Sequence, residues 1–299
     1  MAVLAVESLS KRFGDKQVLD ALSFSVGEHS IFGFIGKNGA GKTTTMKAIL
    51  GLLPTDGGEI RVLGERVQYG QTPTNRHIGY LPDVPAFYPY MSAPEYLAFC
   101  GELTGMERAA IKTRTGELLE RVGLSGEGHR IGGFSRGMKQ RLGIAAALLH
   151  RPRLLICDEP TSALDPIGRK EILDIMQSVR QETTVLFSTH ILSDIERVCT
   201  DVALLDGGRV VLSGTIDELK SSRSLDAFVV ECAEEKDREK LLSAFSNAQA
   251  GEASSVLFSG NDEALCAVLG YLAAEGIAPR KIEKCEATVE SLFVEVISQ

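Results

Sequence analysis

One stretch constrains this chain more than any other: Ile31 to Leu50, reading IFGFIGKNGAGKTTTMKAIL. The apolar run Ile31-Phe32-Gly33-Phe34-Ile35 stops at Gly36. The next residues fit the phosphate-loop pattern G-x-x-x-x-G-K-[ST], with Gly36, Gly41, Lys42 and Thr43 in register. Met46, Ile49, Leu50 and Leu53 then recur at helical spacing, so the loop is expected where a buried strand hands over to a helix N-terminus. Such a junction aims backbone N–H groups and the positive end of the helix dipole at one concave spot. Gly36, Gly39 and Gly41 let the backbone come close to bulky phosphates, and Lys37, Asn38, Ala40 and Thr44 fill out the cradle. Lys42 is expected to reach the β- and γ-phosphates, and the Thr43 hydroxyl to take a place on Mg²⁺. The stretch implies an α/β protein that binds a nucleoside triphosphate.

Around it, Val3 to Leu9 and Val18 to Val26 alternate as strands joined by the polar turn Lys11–Lys16. Pro54-Thr55-Asp56-Gly57-Gly58 is a turn before a short strand, 59–63, and a further strand, 77–81, ends at Pro82. From about 91 to 150 the periodicity is helical. Apolar strands follow at 153–158 and 183–188, which argues for a mainly parallel sheet covered on both faces, with a helical subdomain inserted. Beyond Gly214 the pattern shifts to strand 226–232, helix 236–246, strand 254–258, helix 262–275, strand 280–285 and helix 288–297. A small α+β unit of ferredoxin-like kind fits that order.

Leu154-Leu155-Ile156-Cys157-Asp158-Glu159 is a second chemical feature. A strand ending in acid delivers Asp158 beside a phosphate loop, where it holds Mg²⁺ directly or through water. Glu159 is then placed to polarise an attacking water. It is followed by Pro160-Thr161-Ser162-Ala163-Leu164-Asp165.

With these motifs in this order, residues 2 to 219 resemble the ATP-binding subunit of an ABC transporter. The resemblance implies a P-loop NTPase core with a mainly parallel sheet, an N-terminal antiparallel β subdomain and a helical signature subdomain over about 91–150. Residues 220–299 form an α+β extension, possessed by some exporter ATPases, with a dimerising or regulatory role. Phe13 resembles the aromatic that stacks on adenine. Phe134-Ser135-Arg136-Gly137-Met138 stands where the family has LSGGQ. Asp165 matches the acid of the following loop, and His190 in Ser188-Thr189-His190 matches the switch histidine. The resemblance further implies two ATP molecules, with Mg²⁺, at a head-to-tail interface between two such subunits, identical or paralogous. Each ATP is clamped between one chain's phosphate loop and the Ser135 and Gly137 of another. A separate integral membrane permease completes the machine, and the chain is expected at the cytoplasmic face of the membrane. The form SRGMKQRL is similar to exporters of drugs and antibiotics, so export is the expected direction.

Three positions in two motifs depart from the family pattern. Arg136 and Met138 replace a Gly and a Gln of the signature. Asp83 replaces the Gln that usually follows the strand ending at Leu81. A carboxylate binds Mg²⁺ more strongly than an amide but reaches less far and carries no N–H donor. Asp83 is therefore expected on the metal, directly or with a water between, or else as the start of a turn in Pro82-Asp83-Val84-Pro85.

Charge bears on the competing reading, a soluble ABC-type ATPase acting on DNA or the ribosome. Lys and Arg total 32 against 40 Asp and Glu, a net of −8, and no heptad run appears, so no nucleic-acid partner is expected. A phosphotransferase of P-loop type would need neither Ser135 nor Asp165 nor His190. The segment 220–299 alone carries 8 Lys/Arg against 14 Asp/Glu, an asymmetry suggesting a separate unit. Six scattered cysteines show no metal spacing and fit reduced thiols. MAVLAVESLSKRF has neither the cationic start nor the apolar core of a signal peptide, and no run reaches the ~18 apolar residues of a membrane span.

Overall fold

The computed structural model describes residues 2–70, 73–221, 227–251, 253–285 and 293. It opens with a hairpin, β1 (Ala2–Phe13) and β2 (Lys16–Gly27), closed by Gly14-Asp15 with Phe13 paired to Lys16. The polar turn expected over Lys11–Lys16 thus shrinks to two residues. Asp56 holds the preceding pair extended, accepting from Arg12 N–H at 2.6 Å and from the Lys11 ammonium at 3.2 Å. Next come β3 (Ile31–Gly36), α1 (Lys42–Ile49), β4 (Gly57–Val62) and β5 (Glu65–Arg66). β1, β2, β4 and β5 make one antiparallel sheet in the order β2-β1-β4-β5. Leu53, expected on the helix, lies past its end. Leu50 is the C-cap, and Gly51 turns the chain away at φ +66°.

The second sheet takes β3 at its centre together with β6 (Ile78–Leu81), β7 (Leu154–Asp158), β8 (Thr184–Thr189), β9 (Asp201–Asp206) and β10 (Arg209–Thr215). Its order is β10-β9-β3-β8-β7-β6, parallel throughout except for the β9–β10 hairpin at one edge. Every residue of β3, β7 and β8 is buried, as strands covered on both faces must be. The antiparallel sheet packs over this one through Leu4, Leu22, Phe24, Phe34, Ile156 and Leu186. The Phe24 and Phe34 rings meet at 5.0 Å. Side chains of this size contribute roughly 1.5–3 kcal/mol each when fully buried. β9 and β10 are not among the expected strands, although Asp206-Gly207-Gly208 is a hairpin turn between apolar runs.

Between β6 and β7 stand α2 (Ala93–Leu103), α3 (Arg108–Arg121) and α4 (Arg136–Leu148). α2 starts where it does because of a capping box: Ser92 N–H donates to Glu95 Oε2 at 2.8 Å, and Glu95 N–H to Ser92 Oγ at 3.4 Å. α5 (Pro166–Val179) and α6 (Leu192–Val198) flank β8 in the chain.

The chain divides into two compact units that meet in sequence at Ile216 and Asp217. α7 (Ile216–Ser221) spans that junction. The second unit runs β11 (Ala227–Glu231), α8 (Glu235–Ala244), β12 (Ala248–Ala250), β13 (Ser255–Ser259), α9 (Asp262–Ala274) and β14 (Lys281–Lys284). The antiparallel order β12-β13-β11-β14 with this β-α-β-β-α-β succession is the ferredoxin-like arrangement. It has its own core, in which Phe228 stacks on Phe258 at 5.0 Å above Leu241, Val268 and Leu272. β12 is too short for periodicity to betray it. The expected helix 288–297 lies outside the described residues apart from Phe293.

Candidate nucleotide site

Residues 37–41 connect the C-terminal end of β3 to α1, whose N-cap is Gly41. Gly41 adopts φ +108°, and a Cβ there would stand 2.6 Å from the Leu19 side chain, so only glycine fits. No side chain caps α1, leaving its first N–H groups open to a ligand. Beside that helix start lies a cavity of about 460 Å³ lined by Phe13, Lys16, Val18, Asn38, Gly39, Gly41, Lys42, Thr43, Thr44, Asp83, Asp158 and Glu159.

Lys42 is 6% exposed and curls back over the loop, donating to Gly36 O at 2.6 Å and Lys37 O at 3.4 Å. Ala40 N–H closes the loop onto Lys37 O at 3.1 Å. The Lys42 ammonium also stands 3.1 Å from Glu159 Oε1. That contact is ionic without hydrogen-bond alignment, so Oε1 remains a buried acceptor with no donor aimed at it. His190 Nδ1 lies 2.9 Å from Glu159 Oε2. Glu159 itself sits at φ +48°, a conformation that costs a non-glycine residue about 1–3 kcal/mol and is held only when its surroundings insist. Ser188 supplies that restraint. Its Oγ accepts the Glu159 N–H at 3.0 Å and donates to Asp158 Oδ1 at 2.6 Å. Behind it, the buried Asp194 joins Thr161 Oγ1 at 2.7 Å and Arg169 at 2.6 Å, tying the chain after Glu159 to the helix after His190.

Among the described residues no group of three or more His, Cys, Asp or Glu side chains converges as a metal cage. The cavity instead offers the Thr43 hydroxyl and the buried Asp158 carboxylate. That donor set suits Mg²⁺, which keeps several waters and takes one or two protein oxygens plus phosphate. Tyr80, half-buried on β6, has its hydroxyl pushed up to about 12 by burial first and then by the nearby carboxylates of Asp158 and Asp83, so it stays neutral beside the site.

Asp83 does line the cavity, but its Oδ1 is engaged elsewhere. It accepts from Ser162 Oγ at 2.6 Å and lies 3.6 Å from the Arg136 guanidinium. Ser135, Gly137 and Asp165 are not among the cavity's lining. Ser135 caps α4, accepting from Met138 N–H at 3.2 Å, and Asp165 caps α5, accepting from Gly168 N–H at 3.0 Å. Three residues of the site, Lys16, Val18 and Ser188, are not among those the sequence pattern singles out. Lys16 had a readable signal, since a two-residue hairpin puts it opposite Phe13. Ser188 had none, because its partners approach from a neighbouring strand.

The family described as ABC transporter matches residues 19–162. An ABC transporter ATP-binding protein of Bacillus subtilis (strain 168), YxlF, is 45% identical over 233 residues, covering 78% of this chain and 77% of that protein. The bacitracin transport ATP-binding protein BcrA of Bacillus licheniformis is 41% identical over 221 residues, 73% of this chain and 71% of the relative. Among solved structures, an ATP-binding subunit of an ABC transporter superposes with a TM-score of 0.66 at 34% identity, over 74% of this chain and 92% of that one.

Proposed function

Since this chain belongs to the family of ABC transporter ATP-binding proteins, we propose that its ATP hydrolysis powers export of a substrate through a separate membrane permease. The convergence that supports this most is at Glu159, a carboxylate flanked by Lys42 at 3.1 Å and His190 at 2.9 Å at the rim of the phosphate-loop cavity.

In this reading the open N–H groups of α1 and the Lys42 ammonium hold the triphosphate, and Phe13, 49% exposed, stacks on the base. Thr43 and Asp158 would hold Mg²⁺, which would supply positive charge to offset that of the phosphates. Glu159 Oε1 takes a proton from the attacking water, while His190 orients Glu159 and the γ-phosphate. Asp83 contributes to the cavity wall. Ser135 and Gly137, away from their own chain's cavity, face the ATP of a second copy or a paralogue, with Asp165 at the same junction. Such a pair closes on ATP and loosens after hydrolysis, moving the permease.

Export draws on the resemblance to BcrA, whose name gives it a role in bacitracin transport. No helix among the described residues is long and apolar enough to cross a membrane. The chain works at the cytoplasmic face, where ATP is supplied, and reaches the membrane through its permease. The alternative, a soluble ABC-type ATPase working on DNA or the ribosome, finds no support in these relatives. The ferredoxin-like unit, which has its own core, takes a dimerising or regulatory role in this reading.

The test is Glu159→Gln in purified protein. ATP binding should persist while phosphate release falls ~10²–10⁴-fold, the usual weight of a general base. Turnover at the parental rate would remove Glu159 from that role, and failure of the parent to release phosphate would remove the ATPase reading.

A further inference from the structure

We infer that Arg136, Ser162 and Asp83 form a clasp joining the signature helix to the chain's own phosphate cavity, with Arg136 and Ser162 acting as positioning residues. The inference deepens the proposed function, since its consequence for a second ATP rests on that reading.

Two of the three residues that depart from the family pattern meet in space. Asp83 stands where an uncharged Gln is usual, and Arg136 where a Gly is usual. Here the carboxylate and guanidinium are 3.6 Å apart. Each is about half exposed, and an isolated exposed pair contributes little. This pair is not isolated. Ser162 Oγ donates to Asp83 Oδ1 at 2.6 Å and accepts from Arg136 Nη2 at 3.2 Å, so hydroxyl, carboxylate and guanidinium close a three-membered ring.

α4 grips Asp83 twice. Arg136 holds its side chain, and Gln140, completely buried one turn later, donates from Nε2 to its backbone carbonyl at 2.7 Å. Positions i and i+4 share a helix face, so both grips act from one side. Ser162 is in turn tethered to the catalytic segment, its N–H donating to Glu159 O at 3.0 Å. The connected path runs from the first turn of α4 through Asp83 and Ser162 to Glu159. Ser135, which caps that turn, is the residue placed against a second copy's phosphate. A load on Ser135 is thereby delivered to this chain's own cavity. Asp83, committed to the ring through Oδ1, serves as an anchor more than as a metal ligand.

Two measurements on the full chain test this, using Asp83→Ala, Arg136→Ala and the double variant. Hydrogen exchange reads the clasp without turnover. In parental protein Met138 N–H is held by Ser135 Oγ and Lys139 N–H by Ser135 O. Either single substitution should speed exchange at these amides several-fold, and unchanged rates would overturn the clasp. Steady-state ATPase then reads its role. Each single variant should lower kcat several-fold and bring the Hill coefficient for ATP toward one, the double variant should be no worse than either single, and Arg136→Lys should recover part of the loss. Additive losses would overturn the coupling. A raised Mg²⁺ requirement confined to Asp83→Ala would return Asp83 to the metal and overturn the proposal. A parent with the expected protection at α4 but no phosphate release would support the clasp and sink the ATPase reading instead.

Discussion

Lys42 Nζ and Glu159 Oε1 are 3.1 Å apart across the phosphate cavity, so the cation suited to a phosphate and the carboxylate suited to a water partner each other. Both are largely withdrawn from solvent, at 6% and 14% side-chain exposure. A triphosphate entering the cavity would draw the ammonium toward itself and leave Oε1 facing the γ-phosphate. On the proposed function, arrival of substrate would thereby free Glu159 to act as the general base.

Lys42→Ala should weaken ATP binding about 10- to 100-fold, the value of one charge-assisted hydrogen bond of roughly 1.5–3 kcal/mol. Titration with a fluorescent ATP analogue measures this. Unchanged affinity would mean that the loop N–H groups hold the phosphates without the lysine.

Ser188→Ala removes the hydroxyl that joins Asp158 Oδ1 to the Glu159 N–H. The N–H loses its acceptor in a buried place, so the protein should lose about 1–3 kcal/mol of stability, visible as a lower urea midpoint. Because Asp158 also loses a partner, half-maximal ATPase should need a different Mg²⁺ concentration. Stability lost without any change in Mg²⁺ response would confine Ser188 to a structural part.

Phe13 is about half exposed at the cavity mouth. Phe13→Ala should leave the melting temperature nearly unaltered and raise the KM for ATP at least ~5-fold, taking base stacking at ~1–3 kcal/mol. Phe13→Tyr should behave as the parent. Equal KM values for the alanine and parental proteins would move the base away from this ring.

Asp56 gives the acid limb of the stability curve a specific origin. The Arg12 N–H, and after it the Lys11 ammonium, hold its carboxyl below the usual carboxylate range. The folded state therefore binds this proton more weakly than the unfolded chain. The stabilisation is present above the ordinary carboxylate pKa and is lost as pH falls through the lower folded value. Asp56→Asn should flatten that part of the urea-midpoint profile. Since Asp56 steadies the strand end that carries Phe13, the same variant should raise the KM for ATP at neutral pH.

Much of this molecule is legible from pattern. β3 and the loop after it are readable because a continuous apolar run, a glycine-rich turn and Lys-Thr coincide within a few residues. The ferredoxin-like order of the second unit follows from alternating strand and helix periods, although three-residue β12 escapes. The first hairpin shows why pattern falls short. Its turn reads as longer than Gly14-Asp15 because Asp56, over forty positions away, is what holds Lys11 and Arg12 extended.

By itself, the sequence determined the strand-loop-helix junction at Gly36–Thr43 and the acids Asp158 and Glu159, together with the order of motifs that marks the family. These are local, since dihedral freedom, apolar periodicity and side-chain chemistry act over a few neighbouring residues. Tertiary structure alone decided what each charged group faces. Lys42 meets Glu159, Ser188 bridges Asp158 to the Glu159 backbone, and Asp83 meets Arg136 and Ser162. Such pairings depend on which strands lie side by side and on which helix crosses them. Electrostatic partners are chosen by distance in space, which a linear pattern does not contain.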